Sequence, residues 1–439
     1  MIEANIEIIS DLKLYAEQWK NQRLFFNNEK DFTRKRKLPH DVLVLLIVNM
    51  LKRSLSIELQ EFFEQSGQED SVCTKSAFTQ QRMKLDYNFF SCWNAVLVNS
   101  FYQRYKKKVK RWKQFRVIGV DGSTAYLINK PEVINCFGVQ RNKSSSVAMG
   151  RIMCAHDVLN EITIAAQLLP IEWSEQMIVN SWIPYYEDDM LFIYDRAYPG
   201  YASIYLHLAQ ERPATFVMRC RSNFNNEIKE FVASQQQSQI VKFAPSEEVI
   251  KELHEHGYKI TKDTKIKVRL VKVLLDTGET EILITNLYNE KKFRARLFKE
   301  LYFMRWGVET SYATQKNILQ LESFSGQKPE TILQDFHSGI FVSNLQSVIN
   351  KQCESKIKSK TKHRKHRYKT NRNVAMGLMK NRIVNLFLEQ SPQKILEELE
   401  KLFLQHLEPV RPNRQYKRVV RNRRLHGKYQ TFTNYKRVI

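Results

Sequence analysis

The chain has 439 residues, 43% of them hydrophobic, and only 13 glycines, which excludes a low-complexity protein and allows two or three domains with a sizeable core. The formal net charge is +24 and the sequence pI about 9.6. That balance excludes a chain indifferent to polyanions and points to nucleic acid first, an anionic membrane surface second.

The charge is unevenly placed. From Lys351 to Ile439, 24 Lys and Arg stand against 6 Glu and no Asp, a net of +18, which leaves +6 for the preceding 350 residues. Six cysteines (Cys73, Cys92, Cys136, Cys154, Cys220, Cys353) include no C-x-x-C pair and read as reduced thiols of a cytosolic protein. The opening residues do not read as a signal peptide. The longest mostly apolar run, Val42 to Leu51, is too short to span a bilayer. A cytoplasmic, nucleoid-associated protein of bacterial type is expected, with no membrane partner.

In chain order, Ile6 to about Asn27 reads as an amphipathic helix. Arg34, Lys35, Arg36 and Lys37 then form a cationic run directly before Pro39, which suits the first turn of an apolar helix from His40 to about Arg53. The run serves equally as a phosphate contact or a solvated loop. A helix from Ser56 to Glu64 follows. Thr74 caps another, Lys75 to Leu85, whose Ser76, Gln80, Gln81, Arg82 and Lys84 suggest the base-reading helix of a helix-turn-helix-like unit. Asn88 to Tyr105 completes a helical domain spanning 1–112.

From Phe115 the periodicity changes. Arg116 to Thr124 is a buried strand ending in Asp121 and a turn. Val147 to Val158 and Glu161 to Leu169 are strands joined at Leu159-Asn160. A helix from Trp173 to Trp182 precedes a second buried strand, Met190 to Tyr194, closed by Asp195. Tyr201 to Gln210 is a helix and Ala214 to Cys220 a strand. Strands alternating with helices give a mixed α/β sheet. Residues 221–290 look β-rich, with a hairpin turn at Asp276-Thr-Gly-Glu279, and read as an insertion into a domain spanning 113–350. The basic region 351–439 carries helices from Val374 to Leu388 and Lys394 to Leu407.

The most informative stretch is Leu301 to Lys316. Tyr302, Arg305, Glu309 and Lys316 lie at offsets of three, seven and fourteen from the first, on one stripe of a single helix. Alone, such a stripe is a solvated face with an Arg305–Glu309 pair. Asp121 and Asp195 alter that reading. Each closes a buried strand, where open α/β sheets gather ligands and metals. Two facing carboxylates need a proton or a bridging cation. With Glu309 they form an all-oxygen set suited to Mg²⁺, or Mn²⁺, rather than zinc. Asp157, Asp188 and Asp189 lack that context and read as structural.

Tyr302-x2-Arg305-x3-Glu309-x6-Lys316 resembles the YREK signature of the DDE transposases of insertion-sequence family four. Asp121-Gly-Ser-Thr124 is similar to that family's first catalytic block, and Asp195-Arg-Ala-Tyr198 to its second. The resemblance covers about Arg116 to Asn350. It implies an RNase H-like core with a β-rich insertion, Asp121, Asp195 and Glu309 as catalytic metal ligands, and Tyr302, Arg305 and Lys316 as DNA contacts. Arg196 and Tyr198 would support the second Asp or touch the flanking strand. It further implies a transposase that binds the terminal inverted repeats of its element in double-stranded DNA, cleaves by two-metal chemistry and joins 3′ ends to a target, as a homodimer in a synaptic complex. Related enzymes process the ends through a DNA hairpin with an aromatic against a flipped base; no residue here is assigned to that part. A nuclease that cuts without joining uses the same triad, and a catalytically silent DNA-binding protein is the non-enzyme alternative. A tyrosine recombinase is disfavoured, because His363-x-x-His366 and His366-x-x-Lys369 both miss His-x-x-Arg.

Overall fold

The apolar runs from Phe115 onward form strands in the computed structural model, which describes residues 1–34, 36–142, 145–275 and 278–411. They are β1 (Arg116–Tyr126), β2 (Val139–Asn142), β3 (Ser145–Asp157), β4 (Ile162–Pro170), β5 (Met190–Tyr194), β6 (Thr215–Cys220), β7 (Ser238–Phe243), β8 (Ile266–Leu274) and β9 (Thr280–Thr285). The chain divides into two units. One comprises Met1–Lys108, Ala125–Gly150 and the chain from Ala313 onward; the other comprises Val109–Thr124 and Arg151–Tyr312.

In the second unit the strand order is β4-β3-β1-β5-β6-β9-β8-β7. β1, β5 and β6 are mutually parallel, while β6, β9, β8 and β7 pair antiparallel, so the sheet is mixed. Its central strands are apolar on both faces because helices cover both. On one face Ile118, Val120, Phe192, Tyr194, Phe216 and Met218 pack against Ile178, Ile204, Ile228 and Leu253. On the other, Val117, Leu191, Ile193 and Val217 pack against Phe298, Leu301 and Tyr302.

The β-rich stretch 221–290 supplies β7, β8 and β9, which extend the main sheet through β6, and also contains helices Asn226–Ala233 and Glu247–Glu255. Asp276 and Thr277 of its expected turn lie outside the described residues. The YREK segment is not one helix. It comprises Leu297–Phe303 and Trp306–Ala313, broken at Met304-Arg305, followed by a π-helical turn Thr314–Ile318. The stripe drawn on a single 3.6-residue helix therefore does not hold across its whole length.

The first unit is mostly helical. Its centre is the helix Pro329–Lys351, nearly all buried, against Asn88–Arg104, with Trp93 stacked on Phe341 at 4.2 Å between ring centroids. The helix Lys75–Arg82 is capped by Thr74 as expected, but two of the residues assigned to base reading face inward. Arg82 is buried and donates to Gln334, Ser325, the Thr331 carbonyl and Asp335; Gln81 donates to the Leu38 carbonyl. A buried guanidinium needs such partners, and these come from some 250 residues further along the chain. The expected helix Val374–Leu388 is split into Arg372–Met379 and Arg382–Leu388 at Asn381, which has φ 69°. Asn tolerates that left-handed φ better than most residues. A short antiparallel ribbon pairs Arg367–Thr370 with Leu407–Val410. The cationic run beyond Arg411 lies outside the described residues. Among the described residues no helix is long and apolar enough to cross a membrane, and all six cysteines are free.

Candidate active site

β1 and β5 are in register with Gly119 opposite Ile193. Asp121 follows two residues later within β1, and Asp195 follows two residues later in the chain, just past the end of β5 at Tyr194. By the two-residue alternation Asp121 belongs to the sheet face of Val117, which Leu191 and Ile193 share. The helix Trp306–Ala313 reaches that face because two side chains are missing. A Cβ on Gly119 would stand 3.2 Å from Val308 Cβ, and one on Gly307 only 2.8 Å from Val158 Cβ. Glu309, two residues after Gly307, is thereby carried towards the strand ends. Tyr312, one turn later, donates its hydroxyl to the Asp121 carbonyl at 2.7 Å.

The charges converge. Burial pushes the Asp121 carboxyl up to about 7; Arg305 opposes that shift, Glu175 adds to it, the Gly122 N–H opposes it and Glu309 adds to it. Asp195 accepts from its neighbour's backbone, Arg196 N, at 2.7 Å and from the Tyr302 hydroxyl at 3.5 Å. Arg219 lies 3.8 Å from Asp195 and pairs with Glu281 at 2.8 Å. Arg305 is only 4% exposed and donates to Glu309 Oε1 at 2.9 Å. Burial works against its charge, but Tyr302, Asp195 and Glu309 hold the guanidinium above its ordinary pKa. Its Nε has no hydrogen-bond partner among the described residues, and it lies over the Trp306 ring at 5.1 Å.

Asp121, Asp195, Glu309, Tyr302 and Arg305 thus lie in one unit, with Arg305 feeling Asp195, Glu309 and Tyr302 and acting on Asp121. Tyr198 is buried and donates its hydroxyl to Glu175 Oε2 at 2.7 Å, while the Arg196 side chain is exposed. Lys316 falls in the other unit, where it pairs with Glu322 at 3.3 Å. Arg34, Arg36 and Lys37 are exposed in the loop before helix His40–Val48, with Lys37 donating to the Asp70 carbonyl at 2.7 Å. Lys35 lies outside the described residues. The three carboxylates read as structural have structural partners: Asp157 accepts the backbone N–H groups of Leu159 and Asn160, Asp188 pairs with Arg212, and Asp189 with Arg111 and Arg116.

Sequence reasoning missed Glu175, Arg151, Arg219 and Glu281. Glu175 follows the Ser174 cap, where an acid in the first turn is ordinary. Arg219, a cation inside the apolar run Phe216-Val-Met-Arg-Cys220, was a usable signal.

Among the described residues no three His, Cys, Asp or Glu side chains stand close enough together to hold a metal ion. Glu309 is engaged by Arg305, and Asp195 by Tyr302 and a backbone amide. The donor chemistry nevertheless fits a hard divalent cation. The available ligands are carboxylate oxygens, and Asp121 carries a burden of burial and neighbouring negative charge that a cation relieves.

Residues 176–345 match the family model described as a transposase DDE domain. This stretch is similar to a transposase DDE domain. The matched stretch contains Asp195, Tyr302, Arg305, Glu309 and Lys316, and begins after Asp121 and Glu175. None of the curated proteins matches the chain. Among solved structures, the chain is similar to a piggyBac transposase in a synaptic complex with hairpin DNA, determined by cryo-EM. The TM-score is 0.40 with 11% identity, over 90% of this chain and 83% of that one. The domain match supports a DDE transposase, a class of enzymes that cut and join DNA.

Proposed function

We propose that this protein is a DDE transposase of the insertion-sequence-four type, with an RNase H-like core, that binds the terminal inverted repeats of its own element, cuts there and joins the 3′ ends to target DNA. One coincidence carries the reading. The stretch matching a transposase DDE domain contains Asp195 and Glu309, and Arg305 of that stretch feels the charge of both while also acting on Asp121.

Asp121, Asp195 and Glu309 would hold Mg²⁺, with Glu309 exchanging its Arg305 contact for the ion. When bound there, such an ion would supply Lewis-acid activation of the attacking oxygen and charge neutralisation at the leaving oxygen. Tyr302 steadies Asp195 through its hydroxyl. Arg305, released from Glu309, offers a buried cation to a scissile phosphate, and its unpartnered Nε is available as a donor. Arg196, exposed beside Asp195, and Lys316 are further phosphate contacts. The helical N-terminal region with Arg34, Lys35, Arg36 and Lys37, and the basic region after Asn350, neutralise the DNA backbone. Holding two element ends together calls for a homodimer.

The alternative, a nuclease that cuts without joining, uses the same carboxylates. Incubating the protein with Mg²⁺, a linear DNA carrying the element end and a supercoiled target separates them. A transposase gives end-specific cuts and joined strands. Nicks without joined product would establish the nuclease, and binding without either a silent DNA-binding protein.

A further inference from the structure

Glu175 opens the helix Glu175–Trp182, which is capped by the Ser174 hydroxyl accepting from Met177 N at 3.1 Å. Both of its carboxylate oxygens are taken. Arg151 Nη1 donates to Oε1 at 2.9 Å, and the Tyr198 hydroxyl to Oε2 at 2.7 Å. The next residue grips the same tyrosine from its other end: Gln176 Nε2 donates to the Tyr198 carbonyl at 2.8 Å. Tyr198 is 1% exposed, and its own N–H closes the turn onto the Asp195 carbonyl at 3.2 Å. The opposite side of Glu175 abuts β1. A Cβ on Gly122 would lie 2.2 Å from the Glu175 carboxyl carbon, so that carboxylate fills the space beside Asp121 that a side chain would need.

We propose that Glu175 is a positioning residue of the active site, a strut that sets the turn carrying Asp195 against the strand end carrying Asp121. The inference rests on the transposase reading for what those two carboxylates hold. Glu175 does not need to touch the ion: it acts through Tyr198 and through its packing on Gly122. Residues that orient metal ligands typically cost 10–100-fold in affinity or activity when removed.

The test measures Mn²⁺ binding to the full chain by electron paramagnetic resonance of the free ion, alongside single-turnover cleavage and DNA affinity. The proteins are wild type, Glu175→Ala, Glu175→Gln, Tyr198→Phe and the Glu175→Ala/Tyr198→Phe double variant. Glu175→Ala should weaken Mn²⁺ binding by about tenfold and slow cleavage comparably, with DNA affinity unchanged. Glu175→Gln, which keeps an acceptor for Tyr198, should lose less. The double variant should be no worse than the poorer single one, because both remove the same interaction. If Glu175→Ala does not fold, Glu175→Gln and Tyr198→Phe carry the test. A wild type that binds Mn²⁺ and cuts DNA, with all variants equal to it or with additive losses, overturns the strut. A wild type that neither binds Mn²⁺ nor cuts overturns the transposase reading itself.

Discussion

Asp121 sits where burial, Glu175 and Glu309 all disfavour its negative charge, and only Arg305 and one backbone amide favour it. Its folded pKa of about 7 lies above the unfolded value of about 3.9. The folded protein therefore keeps a proton that the unfolded chain has lost, and this group's contribution to stability falls as pH rises from about 4 to about 7. Above that range the full penalty remains. Asp121→Asn removes it, so the variant should melt at a higher temperature than wild type at pH 8, and the gap should close near pH 4. Mg²⁺ should narrow the pH 8 gap by stabilising wild type only. Thermal melts at the two pH values check this; parallel curves would mean the charge is not crowded. At this scale the candidate site was readable because Asp121 and Asp195 interrupt runs of buried residue types. Glu175 was not, since a first-turn acid looks the same whether it caps a helix or braces a neighbouring turn.

The segment from Leu297 to Ile318 shows what periodicity reads and what it misses. Tyr302, Arg305 and Glu309 do share a neighbourhood, but across a break, because Met304 and Arg305 lie between two helices rather than inside one. No proline marks the break. What seats the second helix is Gly307, and here two effects compete. Gly→Ala inside a helix ordinarily stabilises by about 1 kcal/mol. A methyl here would meet Val158 at 2.8 Å, and overpacking of that kind costs about 1–3 kcal/mol. Gly307→Ala should therefore destabilise and reduce cleavage by displacing Glu309, and adding Val158→Ala should recover part of both. Denaturant melts of the single and double variants decide the sign; a stabilised Gly307→Ala would show that the helix is not held by close approach to Val158. The helix Lys75–Arg82 illustrates the opposite failure. Its cap was readable from Thr74, yet its polar face was misassigned because Gln334 and Asp335, which bury Arg82, are remote in sequence.

At the scale of the whole molecule, the mixed α/β class followed from strands alternating with helices. The extension of the sheet by β7, β8 and β9 did not, because pairing between β6 and β9 joins segments more than sixty residues apart. The uneven charge was plain from composition. Part of it lies on described structure: Lys358, Lys362, Arg364, Lys365 and Arg367 are exposed around the start of the ribbon, with Arg364 over the Tyr368 ring at 4.6 Å. Lys356 and Lys369 are instead paired with Glu400 and Glu408. Replacing Lys362, Arg364, Lys365 and Arg367 together by Ser should weaken duplex binding for any sequence. The slope of log affinity against log salt should become shallower by roughly 0.9 for each phosphate that the variant leaves unneutralised. An unchanged slope would show that this surface does not contact the DNA backbone.

The measurement that bears most directly on the account is cleavage of the element-end DNA by Glu309→Gln beside wild type, at equal DNA occupancy and with Mg²⁺. Binding should be normal and cleavage reduced by about a hundredfold to a thousandfold, the scale of losing one group that stabilises the transition state. A Glu309→Gln protein that cuts as fast as wild type would remove Glu309 from the reaction, and with it the three-carboxylate site.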